Sequence, residues 1–505
     1  MRLKNTLINS IAGILSQFIL MIVSFWVRKI FIDYLGNEYL GINSVYSSLL
    51  QFLNLAELGI SSAIIFNLYG PLAKGNENKI TYLMLQYKRI YQKIGYIILL
   101  VGFFLMFFVD KFMEGITVDI WYLRATFFIQ LLGTVSTFFF AYKRSLLLAD
   151  QKNYICQIVD TIVSLVSYLI RLVVIIWLHS FVLYLIIQVI QNIASNIICS
   201  LYCDKVYPYI KNKKYSMADV EELTLKKDIK DVAIYKISSF IYTSTDSLII
   251  SKFISTIILG IYSNYKLILD FIANILSQIT NSVLSSLGNF INDDKNTKEV
   301  YQLIDLYTFI CFGIGTFCCV SFLCLFQPTI YFWIGNENLL SFSIVVTSCM
   351  YFFLRQIRTP IGNLYYAFGM YRFDKIGMIT TAVINIVLST TLTFYIGLNG
   401  VFIGTVFADL FYLIFSTHVI FREYFKVGYL KYLKKIFLYC VIAAFECMVC
   451  VYFVDLFMED YSLFNYVLRV FSCIILPNLF NYFIAILFGY KDRIFEIVST
   501  LKGVK

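Results

Sequence analysis

Lys266, Asp270, Asn274, Gln278, Asn281 and Ser285 follow one another at intervals of three or four residues in an otherwise apolar run. That spacing places all six on one face of a helix. Ser239, Thr243 and Asp246 share a second face, within YTSTDSLIISKF. The chemistry open to such side chains is ion pairing and hydrogen bonding in apolar surroundings. Lys266 and Asp270 either neutralise each other or line a hydrated cavity. Asp246 has no basic residue one turn away on its own helix. Its partner therefore comes from another helix, from water or from a cation, and an ion or proton site is one reading. Cations recur in other apolar runs. Arg28 and Lys29 either snorkel to an interface or contact an anion inside a cavity. Arg355 and Arg358 are three apart, beside Pro360 and Gly362, where the helix could be interrupted. Two guanidinium forks facing one way suit a phosphate or carboxylate better than lysines would. Arg124 and Arg171 are weaker candidates near headgroup depth, and Asp409 and Glu446 are expected to pair within their bundle. An ionisable group at mid-bilayer costs about 2.5–3.5 kcal/mol on insertion scales, so each calls for a reason. Cations outnumber anions among these positions, and an anionic ligand is expected.

The elements that position these residues follow from composition. Of 505 residues, 60% are apolar and 14% charged, against roughly 25% charged in soluble domains. The apolar residues cluster in blocks long enough to cross a hydrocarbon core of about 30 Å. Fourteen spans are expected, near 7–33, 40–69, 91–109, 118–141, 155–178, 181–203, 234–254, 259–288, 303–326, 338–366, 376–396, 400–421, 434–454 and 464–488. The run after MRLKN reaches about Phe31, too long for a signal-peptide core, so the first helix is expected to stay in the membrane. Alternate loops carry the lysines: Lys74 to Lys93, Lys143 to Lys152, seven between Lys205 and Lys230, and Lys426 to Lys435. The positive-inside rule then places both termini in the cytoplasm. The net charge of +10 is mostly topological, and no nucleic-acid binding is implied.

An internal repeat organises the spans. LGINSVY (40–46) returns as LGIYSNY (259–265), 219 positions on, and the match extends from Leu49-Leu50-x-Phe52-Leu53 to Ile268-Leu269-x-Phe271-Ile272. Leu146–Ala149 echoes in Leu364–Ala367. The copies are six spans apart and so enter from one side, as in transporters built from parallel repeats. The expected architecture is an all-α polytopic membrane protein with two pseudo-symmetric six-helix bundles, 1–203 and 234–422. A basic linker, 204–233, joins them, and 423–505 adds two spans and a tail. Ser47, Gln51, Asn54, Glu57 and Ser61 give span two a polar face equivalent to that of span eight, and both are expected to line a hydrated cavity between the bundles.

Several activities are excluded. The longest polar stretch, about Asp204 to Val232, is too short to fold unaided. No G-x-x-x-x-G-K-[ST] motif cradles ATP. A one-chain ATP pump and a cytoplasmic sugar transferase drop out, and the lack of a long outer loop argues against a membrane polymerase. No enzyme activity, metal or other cofactor is expected. Cys447-x-x-Cys450 lies inside an apolar span without a second pair, and none of the twelve cysteines falls in an expected outer loop. Tyr262, Tyr265, Tyr365 and Tyr366 could stack on sugar rings or simply pack.

The runs ELGISSAIIFNLYGPLAKGNENKI (57–80) and DSLIISKFISTIILGIYSNYKLI (246–268), with the loop KRSLLLADQKNY (143–154), resemble the polysaccharide-export family. Its typical members are the Wzx flippases of the multidrug/oligosaccharidyl-lipid/polysaccharide exporter superfamily, which includes the MATE transporters. The resemblance covers most of the chain. It implies a MATE-like fold and a flippase that moves undecaprenyl-pyrophosphate-linked oligosaccharide between leaflets of the bacterial plasma membrane. It also implies a cationic cavity lined largely by spans 1, 2, 7 and 8, where Arg28, Lys29, Glu57, Asp246, Lys266 and Asp270 lie. Glu57 and Asp246 are the candidates for coupling to protons or sodium. The last two spans would hold the lipid tail, and a polysaccharide polymerase or other assembly proteins are potential partners. A drug/cation antiporter of the same superfamily is the competing class, for which an acidic cavity would be expected.

Overall fold

The computed structural model describes residues 2–54, 64–65, 67–211, 227–292, 297–368, 370–458 and 460–493. Glu57, Ser61 and residues 212–226 of the basic linker lie outside these residues. Among those described, every regular element is helical. Long helices run as α1 (Arg2–Leu53), α2 (Glu77–Met106), α3 (Ile120–Ala149), α4 (Asn153–Leu178), α5 (Phe181–Val206), α6 (Lys227–Phe253) and α7 (Thr256–Asn292). They continue as α8 (Thr297–Ile334), α9 (Phe342–Ala367), α10 (Tyr371–Ile396), α11 (Leu398–Ile420), α12 (Leu430–Phe457) and α13 (Leu463–Leu487).

Eleven stretches among the described residues are long and apolar enough to cross a membrane. α1 holds two of the expected spans on either side of a break, and α6 and α9, also among the expected fourteen, are helical but are not among the eleven. α1 is broken at Gly36, whose φ of 82° and ψ of 173° lie outside the helical region. A side chain would be strained at that φ, so glycine lets two spans meet without the loop expected at 34–39. Pro360 does not interrupt α9, which runs through it to Ala367. Neighbouring helices and side chains in a bundle can re-satisfy the backbone group that proline frees.

The chain divides into two compact units, Met1–Ile275 and Leu276–Lys505. In the first, α1 packs on α4 and α6, α3 on α2 and α5, and α4 on α5. In the second, α8 packs on α9, α12 and α13, while α11 packs on α9 and α10.

The two copies of the repeat meet inside the first unit. A Cβ at Gly41 would sit 1.9 Å from the Thr256 carbonyl oxygen, and one at Gly260 2.1 Å from that of Asn37. Thr256 precedes Gly260 by four residues, as Asn37 precedes Gly41, so the crossing is two-fold in character. Only glycine lets the helix backbones approach so closely, as small residues do at membrane helix interfaces. The repeated L-G-I-x-S-x-Y of this chain therefore marks a helix crossing.

The α2–α3 loop straps the same end of the unit. Glu114 N–H donates to the Ser251 carbonyl at 3.1 Å, and Thr256 N–H donates to the Glu114 carbonyl at 3.0 Å. The Glu38 carboxylate accepts from the Thr117 hydroxyl at 2.8 Å and from Val118 N–H at 3.2 Å. At the opposite end, KRSLLLADQKNY forms a staple. Lys143 pairs with Asp204 at 2.6 Å and Lys152 with Asp150 at 2.7 Å, while Tyr207 donates its hydroxyl to Asp150 at 2.5 Å.

Candidate functional site in the first unit

Helix α4 carries Asp160, Ser164, Ser167 and Arg171 at spacings of four, three and four, a polar face on an otherwise apolar helix. Facing it, α5 carries Gln188, Gln191, Asn192, Ser195 and Asn196. Polar contacts join the two faces. Ser195 donates to Asp160, Gln191 donates to Ser164 at 2.8 Å, and Arg171 donates to Gln191. Arg144 from α3 completes the group by pairing with Asp160 and reaching Ser195 at 3.1 Å.

A cavity of about 490 Å³ opens between α3, α4 and α5, with Arg144, Asp160, Asn192 and Asn196 in its wall. A second, of about 160 Å³, lies between the end of α1, α3 and α5, lined by Ser47, Gln51, Asn54, Gln130 and Gln188 among others. Asn192 lines both. The described part of the span-two polar face, Ser47, Gln51 and Asn54, lines this smaller cavity inside the first unit, opposite Gln130 of α3 and Gln188 and Asn192 of α5.

Arg28, on α1, donates to the Ser263 hydroxyl of α7 at 3.2 Å. Arg171 is buried, bonding Ser167 at 3.1 Å, with the rings of Tyr168 and Tyr184 at 5.3 and 5.1 Å from its guanidinium. Tyr168 and Tyr184 are within electrostatic reach of Arg28 as well. Two guanidinium groups thus share a tyrosine pair, and their described partners are hydroxyl, amide and ring, all neutral. Lys29 is exposed.

The remaining sequence-derived candidates are placed as follows. Lys266 and Asp270 form an i,i+4 ion pair at 2.9 Å, with half-exposed side chains, one turn beyond Ser263. Asp246 is half-buried on α6, and Thr243 turns its hydroxyl back to the Ser239 and Phe240 carbonyls. Tyr262, Tyr265 and Tyr365 are buried, which is packing.

In the second unit, Arg355 reaches the Tyr351 hydroxyl at 3.4 Å. Arg358 pairs with the buried Asp409 at 3.3 Å and lies 4.7 Å from the Tyr412 ring. Tyr412 donates its hydroxyl to Asp374 at 2.5 Å. Asp409 is thus the intrabundle partner it was expected to be, and Arg355 and Arg358 meet different partners. Cys450 sits in an apolar cluster with Val320, Cys324 and Cys473, and all twelve cysteines are free thiols. Among the described residues no group of His, Cys, Asp and Glu could hold a metal.

The sequence reading passed over Arg144, Asp160 and Ser195, and it set Arg171 near the headgroups. The signal that finds them is the spacing already used for α7, since α4 repeats it in Asp160, Ser164, Ser167 and Arg171.

Comparison with known proteins can now be made against this geometry. Residues 97–336 match the sequence model of a family described as polysaccharide biosynthesis protein. That description agrees with the resemblance read from the sequence, over a little under half of the chain. The fold agrees. A structure titled lipid II flippase MurJ, in an inward closed conformation, aligns over 96% of this chain and all of its own, with TM-score 0.70 and 16% identity. An inward-facing MATE family multidrug resistance transporter of the MOP superfamily aligns over 81% of this chain and 96% of its own, at TM-score 0.62 and 12% identity. The MATE multidrug transporter DinF-BH aligns over 83% of this chain and 95% of its own, at TM-score 0.59 and 16% identity. No curated protein sequence matches. The chain is a multi-pass membrane protein with the helical fold of flippases and multidrug transporters.

Proposed function

We propose that this protein is a flippase that carries undecaprenyl-pyrophosphate-linked oligosaccharide from the inner to the outer leaflet of the bacterial plasma membrane. Its product is surface polysaccharide, and its cycle is alternating access. The observation that carries this reading is Arg28, with Arg171 beside the same tyrosines. An arginine in an apolar span needs compensation, and a neutral hydroxyl at Ser263 supplies no charge. A pyrophosphate arriving on a lipid would supply it through charge-assisted, bidentate hydrogen bonds. Lys29 is a further anion contact on this reading, and Lys266 and Asp270 contribute polar lining through their ion pair, whereas Arg358 is already compensated by Asp409 and, with Arg355, belongs to the second unit. Glu57 and Asp246 are the candidates for ion or proton coupling.

No bond is made or broken, so the protein has only to keep the charged headgroup out of hydrocarbon while the tail stays in lipid. The lysine-rich end of the first unit, at Lys143 and Lys152, faces the cytoplasm with both termini on that side. With that side negative, each negative charge moved outward gains about 2.3 kcal/mol per 100 mV. The membrane potential could then drive export without ATP.

The fold likeness to MATE transporters favours a drug/cation antiporter as the second reading. Deleting the gene separates the two. Loss of surface polymer with lipid-linked oligosaccharide accumulating on the inner leaflet is expected. Intact polymer with raised sensitivity to cationic drugs would establish the antiporter instead.

A further inference from the structure

The larger cavity of the first unit has a chemistry different from that of the arginine pair. Its charged lining residues, Arg144 and Asp160, pair with each other, so neither an anion nor a cation would find an unspent charge there. Asn153, Gln191, Asn192 and Asn196 line it too. Each amide offers two donors and an acceptor oxygen. Ser164 and Ser195 add hydroxyls that can play either role, and Tyr91 contributes an aromatic wall. Part of this capacity is spent inside the wall, where Gln191 donates to Ser164, Ser195 to Asp160 and Asn196 to the Asn192 carbonyl, and an apolar occupant would leave the rest without partners, each at a desolvation cost. At about 490 Å³ the cavity falls in the range typical of small-ligand sites, roughly 300–1,000 Å³. It is also reachable, since the Asp160 side chain is 41% exposed.

We propose that this cavity is a subsite for an uncharged sugar ring of the cargo, separate from the arginine pair that would meet the pyrophosphate. Vicinal hydroxyls, each both donor and acceptor, match a wall of amides and hydroxyls. The self-neutralised Arg144–Asp160 pair selects against uronic acids and aminosugar cations. Asn192, shared with the smaller cavity, links the subsite to the amide column of Gln51, Gln130 and Gln188, along which further hydroxyls could bond in turn. This inference rests on the flippase reading and adds to it where the sugar is recognised.

The test uses the full-length protein in nanodiscs and two lipids, undecaprenyl pyrophosphate bearing the host's repeat unit and the same lipid without sugar. Wild type should bind the sugar-bearing lipid about tenfold tighter, the worth of one or two net hydrogen bonds. Asn192→Leu should erase that difference and leave binding of the sugarless lipid unchanged. Asn153→Ala, at the cavity rim, should reduce it part-way and serves if Asn192→Leu fails to fold. A preference that survives both variants overturns the subsite and leaves the flippase standing. Failure of wild type to bind either lipid overturns the flippase reading itself. Saturation-transfer NMR with glucose and glucuronate gives an independent check. Transfer to glucose that Asn192→Leu removes is expected, and stronger transfer to glucuronate would contradict an uncharged sugar.

Discussion

The two units hold their arginines in different ways, although the second also buries Glu446 without a hydrogen-bond partner among the described residues. In the second, Arg358 meets Asp409 at 3.3 Å, Arg469 meets Asp455 at 3.3 Å, and Lys435 shares Asp305 with Tyr490. In the first, Arg28 and Arg171 are met by hydroxyl, amide and aromatic groups, and polar cavities open among its helices. A charge compensated inside the protein is a packing element, whereas one met by neutral groups leaves room for a ligand to complete it. The first unit is accordingly where a charged and hydroxylated headgroup would be received. The paired charges at Arg144, Lys143 and Lys152 in the first unit fit the same rule, because they staple its lysine-rich end.

The comparison breaks most visibly at Asp409. Removing one partner of a buried ion pair costs about 3–5 kcal/mol, so Asp409→Asn should leave little folded protein after detergent extraction. The double variant Arg358→Gln, Asp409→Asn should recover most of it, as thermal unfolding would show. If Asp409→Asn instead unfolds like wild type but stops transport, the second unit is more than packing. Next in size is Arg28→Gln, which removes a charge-assisted contact of about 1.5–3 kcal/mol. Export should fall roughly ten- to a hundredfold with the melting temperature unchanged, and Arg28→Lys should keep part of the activity. Gly260→Ala sharpens the comparison at the helix crossing. Its methyl would press on the Asn37 carbonyl, an overpacking worth about 1–3 kcal/mol, and a lower melting temperature is expected, with Gly41→Ala behaving alike. The smallest effect belongs to Asp270→Asn. Its half-exposed pair with Lys266 contributes about 0.2–1 kcal/mol, so stability should barely move.

Much of the fold is legible in the sequence because a bilayer forces apolar residues into blocks of fixed length. The repeat was legible too, but its purpose was not. L-G-I-x-S-x-Y shows that two helices are alike, and only the approach of Gly41 to Thr256 shows that they cross. The loop expected near 34–39 is a single glycine because hydropathy cannot tell a turn from a kink. In the site, the polar face of α1 could be read from its spacing as far as Asn54. The same spacing in α4 went unread because Arg171 lies near an expected span end, where a headgroup seemed a sufficient partner. Pairings such as Arg358 with Asp409 join helices far apart in sequence, so spacing along one helix cannot show that a cation is already compensated. Glu57 lies outside the described residues, and its proposed coupling role stands on the sequence.

The most direct measurement of the central claim reconstitutes the protein in vesicles with a membrane potential and follows fluorescent undecaprenyl-pyrophosphate-linked oligosaccharide across the bilayer. The wild type is compared with Arg28→Gln and with the charge-neutral double variant Arg358→Gln, Asp409→Asn. The account predicts that Arg28→Gln all but stops translocation and that the double variant supports it near the wild-type rate. Translocation that persists in Arg28→Gln and vanishes in the double variant would place the headgroup in the second unit and contradict the account.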